Sequence, residues 1–252
     1  MSAPDPAKKL SALLKRLRST YGESVTDPWM EGCPEGADPL LWHLIFCFLA
    51  WESTTNKAVA ANKRLHTSVV DYNELRVCLP DELVAMIGDR YPKARERVTR
   101  LRSALNDLYR REHAVSLTKL VDMPKRDARQ VLDSLEGTPA FVSARMMLLS
   151  LGGHSFPMDE RIHQALVEED AAPPDIQEAA GWLERQFRVG EAAPAYTLIE
   201  AWLNDRPLPK APARSGKRSG TAKGPRTEET EEARPGRRSS TEKPQSKKAA
   251  KS

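Results

Sequence analysis

The sequence lacks any long hydrophobic run, and it is poor in cysteine and in aromatic residues. Its most apolar stretch, Leu40 to Trp51, is twelve residues long and contains His43. That suits a buried helix and falls short of a bilayer span. The opening residues MSAPDPAKKL carry no apolar segment before a small-residue cleavage site, so no secretory signal is expected. Three cysteines, Cys33, Cys47 and Cys78, form no Cys-x-x-Cys pair. They exclude a disulfide framework and a four-thiolate metal site, and they fit a reducing, cytoplasmic setting. No alternating β-branched run predicts a strand, and no 20–50-residue period predicts a solenoid.

The net charge of +4 is unevenly distributed. Residues 206–252 hold 14 Lys and Arg against 5 Asp and Glu, which leaves 25 bases and 30 acids in residues 1–205. The segment 206–252 contains no Val, Ile, Met or aromatic residue, and Leu208 is its one large aliphatic. It is predicted to be a disordered basic tail, because it has too little apolar surface to offset the entropy of ordering. A mobile cationic arm attracts nucleic acid without sequence preference through counterion release, or it serves solubility.

Residues 1–205 read as one all-α domain. Leu10, Leu13, Leu14 and Leu17 share one stripe of a helix over 6–20. A Pro- and Gly-rich loop over 27–39 precedes the apolar segment, and the Ser53-Thr54-Thr55-Asn56 cluster starts a new helix. Short helices are predicted over 71–78 and 81–88, then a long one from Pro92 to Arg111. Its arginines at 95, 97, 100, 102, 110 and 111 read as a solvated face, or as a stripe facing phosphates.

The stretch 117–168 is the informative one. A helix from Asp127 to Leu135 stops at Glu136-Gly137. Thr138 is a good N-cap and Pro139 a good first helical residue, so a second helix is predicted from Pro139 to about Leu151. Two helices joined by so few residues make a helix–hairpin–helix unit. Gly152-Gly153 ends it, an extended 154–158 follows, and a helix runs from Glu160 to about Glu168.

This order of elements resembles the helix–hairpin–helix (HhH-GPD) DNA glycosylase superfamily, in particular its endonuclease III-like branch, from about Leu10 to Asp205. Leu40 to Ile45 followed by Asn56-Lys57-Ala58 is similar to the family's buried helix and its Gln-Thr-Thr-Asp-like turn. Tyr91-Pro92-Lys93-Ala94 resembles its Tyr-x-x-Lys-Ala segment, and Leu135-Glu136-Gly137 its Leu-Pro-Gly hairpin. Pro157-Met158-Asp159-Glu160-Arg161-Ile162 resembles its Val-Asp-Thr-His-Val signature, and Arg188 to Leu203 its closing helix. The implied fold is a two-lobed helical domain.

The resemblance also implies roles. The hairpin, at about 126–152, would turn backbone N–H groups of Gly137, Thr138 and Ala140 toward a phosphate of duplex DNA, although Pro139 has none to give. Ser53 and Thr54 fall in the turn that would contact DNA near a flipped base, with Trp51 close by. The lysine nucleophile of the bifunctional members has Phe141 or Val142 in its place, and no Lys lies between Lys125 and Lys210, so lyase chemistry is not supported. Asp159 matches the aspartate that activates water or stabilises the sugar cation as a base leaves. An Asp before a helix is equally a preferred N-cap. His154 and His163 read as surface or packing residues. No cysteine follows Cys78, so the family's iron–sulfur cluster is expected to be absent, with no other cofactor or metal. The expected protein is a monomeric, cytoplasmic base-excision glycosylase of the monofunctional kind. The alternative is a catalytically inactive hairpin module that binds DNA, or a helical interaction scaffold. Asp159 and the element order favour the first; the altered hairpin, the missing lysine and the acidic core favour the others.

Overall fold

The structure, a computed structural model, describes residues 5–22 and 25–207. The basic tail expected over 206–252 therefore lies outside the described residues from position 208 onward. Among the described residues every regular element is helical. The helices are α1 (Pro6–Tyr21), α2 (Pro39–Ala50), α3 (Thr55–Ser68), α4 (Tyr72–Val77), α5 (Pro80–Ile87) and α6 (Ala94–Glu112), then α7 (Lys125–Ser134), α8 (Ala140–Leu149), α9 (Glu160–Glu168), α10 (Ile176–Gln186) and α11 (Ala192–Asn204). None of them is long and apolar enough to cross a membrane.

The core forms around α2. Asp38 caps it, accepting from the N–H groups of Leu40 and Leu41 at 3.0 and 3.1 Å, and Pro39 presets its first turn. From Leu40 to Ala50 every side chain is buried, so the helix has no polar face to present to water. Burying each Leu or Phe there contributes about 1.5–3 kcal/mol. Helices α3, α6 and α8 pack on it, and α4, α5 and α7 complete this lobe. The second lobe brings the two ends together: α1 packs on α11, and α11 packs on α9, which packs on α10. Tyr21 Oη donates to Asp205 at 2.8 Å across that closure. Helix α11 also touches α3 and α8 and so joins the lobes.

Two expectations change. Arg97, read from the sequence as part of a solvated or phosphate-facing stripe, is fully buried. Its guanidinium donates to the carbonyls of Phe48, Leu49 and Pro92, satisfying the end of α2 and the loop before α6. Thr138 does not cap α8. Pro139 takes the N-cap position, and α8 starts at Ala140, because the Thr138 backbone is held in the hairpin turn by the Leu135 carbonyl.

Candidate nucleic-acid interface and the buried carboxylate

The hairpin is held from below by α6. Glu136 N–H donates to Asp107 Oδ2 at 3.0 Å, and Asp107 is itself paired with Arg110 and Arg111. Gly137 follows with φ +80°, and a Cβ there would lie 3.1 Å from the Arg100 carbonyl oxygen and 3.3 Å from its Cα. Both the left-handed backbone and the close approach call for glycine. Thr138 N–H is already used, donating to Leu135 O at 3.1 Å. Among the described residues no acceptor meets the N–H groups of Gly137, Ala140 or Phe141. The last two are the free donors of the first turn of α8, where the helix dipole also favours an anion.

Arg100 links this corner to an aromatic. Its Nη1 donates to Gly137 O at 3.4 Å, and its Cζ lies 5.4 Å from the centre of the Trp51 ring. Lys93 and Arg97 flank the same indole at 5.0 and 5.7 Å. Trp51 is half-buried, whereas Ser53 is fully buried and Thr54 nearly so. Thr54 Oγ1 accepts from Lys57 N–H and caps α3. The part of this turn open to a ligand is thus the indole, not the two hydroxyls expected from the sequence.

Asp159 is the N-cap of α9 and only 3% exposed. Oδ1 accepts from Ile162 N–H and Oδ2 from Glu52 N–H, both at 2.8 Å. The second bond fixes the 51–54 turn, in which Glu52 itself sits at φ +52°. Glu52 returns the contact by accepting from Glu160 N–H at 3.0 Å. Burial pushes the Asp159 carboxyl up to about 6; Arg161 opposes the rise, and Glu52 and Glu200 add to it. Phe141 and Val142, the two positions at which the resemblance would put the lysine nucleophile, are both buried in the core.

Between the lobes runs a chain of buried charges that the sequence reading missed. Arg145, fully buried on α8, pairs with Asp27, donates to Tyr196 Oη at 3.0 Å, and meets the His43 ring at 3.3 Å. Burial, then the Arg145 charge, hold His43 well below its usual pKa and therefore neutral. Tyr196 Oη donates to Glu200 Oε1 at 3.0 Å, and Arg161 Nη2 bonds both Glu200 oxygens at 2.7 Å. Arg161 Nε then lies 4.0 Å from Asp159 Oδ2. Asp27 and Glu200 of this chain of charges also line an open cavity of about 260 Å³ beside α11. The signals were present: Arg145 and Glu200 each interrupt an otherwise apolar helix. His154 and His163 each bond a main-chain carbonyl, as packing residues do.

A crystal structure of the 8-oxoguanine glycosylase/lyase of Clostridium acetobutylicum, in complex with double-stranded DNA, superposes with a TM-score of 0.55 at 16% identity, covering 78% of this chain and 68% of that one. A thermostable thymine-DNA glycosylase superposes with a TM-score of 0.53 at 14% identity, covering 82% and 90%. The fold is that of the helix–hairpin–helix DNA glycosylases. No protein-family model and no curated protein sequence matches the chain. At such identities the glycosylase fold is what is shared, and the chemistry has to be argued from the residues.

Proposed function

We propose that the protein binds duplex DNA through the 135–141 hairpin, and that Asp159 serves this glycosylase fold as a cap rather than as a catalyst. The observation that carries the first half is the trio of uncommitted N–H groups at Gly137, Ala140 and Phe141, beside Arg100. Such a corner accepts a phosphate without reading sequence. The second half rests on Asp159 being buried with both oxygens bonded, since a reacting sugar needs a free carboxylate edge within about 3 Å. The DNA complex of the clostridial 8-oxoguanine glycosylase/lyase agrees with duplex binding by this fold. No lysine nucleophile is proposed, and no cofactor or metal is assigned a part. The basic tail adds affinity that is independent of sequence.

A labelled duplex titrated in fluorescence anisotropy tests the binding. Ala140→Asp places a carboxylate at the exposed first residue of α8, where it suits the helix dipole but repels phosphate. It should weaken binding at least tenfold with no loss of thermal stability. Unchanged affinity would remove the hairpin from the interface. A second reading, a monofunctional base-excision glycosylase, is favoured by one observation: Asp159, at the start of the helix that follows the hairpin helices, has its carboxyl raised to about 6. In that reading the 51–54 turn lifts off Oδ2 when a damaged base is extruded, and Asp159 supports departure of the base.

A further inference from the structure

We infer a second phosphate-binding site, away from the hairpin, in the open cavity where α3 meets the α5–α6 loop. The inference rests on the duplex-binding reading. The cavity has a volume of about 280 Å³ and is lined by Lys57, Arg64 and Arg90 over a floor of Ala60, Ile87 and Tyr91, and no carboxylate lines it. None of the three cations has an ion pair among the described residues.

Arg64 is held in place by main-chain oxygens alone. Its Nε donates to Met86 O at 3.1 Å and its Nη2 to Ile87 O at 2.6 Å, at the end of α5. Its position is therefore fixed while its charge stays uncompensated. The cations around Trp51 differ in this respect, because Lys93 faces Glu52 at 3.8 Å and Arg100 bonds Glu96 at 3.0 Å. An anion is attracted most where positive charge is not already paired.

The ligand is a phosphodiester of the same duplex that the hairpin holds. Arg90 lies three residues before Lys93, the N-cap of α6, and Ala94 to Arg100 rises about 9 Å along that helix. Phosphates recur about every 3.4 Å of axis along one strand, so the cavity and the hairpin take phosphates several nucleotides apart. The basic groups then form one track: Lys57, Arg64, Arg90, Lys93 and Arg100, ending at Gly137.

Lys57→Gln combined with Arg90→Gln tests the site, since both side chains are exposed and neither holds another element. Duplex affinity is measured by anisotropy over a salt series for the full chain and for the double variant, with thermal melts to confirm folding. Loss of one phosphate contact lowers the slope of log K against log salt by about 0.9 and raises Kd about eightfold at 0.1 M salt. If the full chain binds and the double variant keeps the same slope and affinity, the cavity is not a phosphate site, and the hairpin reading stands. If the full chain binds no duplex, the hairpin reading fails and takes this inference with it.

Discussion

Replacing Asp159 with asparagine tests, through the pH dependence of stability alone, whether the carboxylate is buried in the folded protein, as the cap requires. In the folded protein the carboxyl titrates at about 6, against 3.8 for an ordinary aspartate, because it is buried. The folded state thus holds the proton more tightly than the unfolded chain. The stability this group confers is present at low pH and lost as pH rises through 6. The difference between the two values corresponds to about 3 kcal/mol, of which about 2 kcal/mol disappears between pH 4 and pH 7. Asparagine does not titrate, so that component vanishes in Asp159→Asn, while every other titrating group is common to both proteins. Urea unfolding of both proteins at pH 4, 5.5 and 7 gives the comparison. The stability of wild type relative to the variant should fall by about 2 kcal/mol from pH 4 to pH 7. A difference that stays flat would mean that the carboxylate sits in water, in an open pocket, and the argument for a cap would fail.

Other perturbations have expected sizes too. Gly137→Ala forces a side chain into a left-handed backbone position 3.1 Å from a carbonyl oxygen; it should cost about 1–3 kcal/mol in urea unfolding and weaken duplex binding together with it. Arg145→Met leaves Asp27 buried without its partner, and a loss of about 3–5 kcal/mol is expected, visible as a large drop in Tm. Ending the chain after Pro207 should weaken duplex binding and flatten its salt dependence in anisotropy, with melting unchanged; equal slopes would leave the tail no part in binding. Borohydride should trap no covalent adduct at an abasic site, since Phe141 and Val142 at the start of α8 are buried apolar residues and no Lys lies between Lys125 and Lys210.

Much of the fold could be read from local signals. The stripe of Leu10, Leu13, Leu14 and Leu17 gave α1, and Asp159 ahead of Glu160 gave the start of α9. These are short-range periodicities and caps, which the chain writes within one or two turns. Helix α10, Ile176–Gln186 capped by Asp175, is an element the sequence reading does not predict, since that reading expects the closing segment only from Arg188 onward. The site was less readable, because its substance is long-range pairing. Arg97 looks like a surface charge in sequence, Arg145 and Glu200 stand out only as charges in apolar helices, and all three are buried because partners 39 to 118 positions away meet them. Likewise, a carboxylate that caps a helix and one that assists chemistry have the same local sequence. Only the Glu52 N–H, 107 residues away, shows that the second oxygen is occupied.

The most direct test incubates excess protein with duplexes that each carry one damaged base, confirms binding by anisotropy in the same samples, and then exposes abasic sites with alkali. The proposed function predicts bound duplexes whose strands stay intact. Strand breaks that appear with wild type and vanish with Asp159→Asn would contradict it and make Asp159 the working group of a glycosylase.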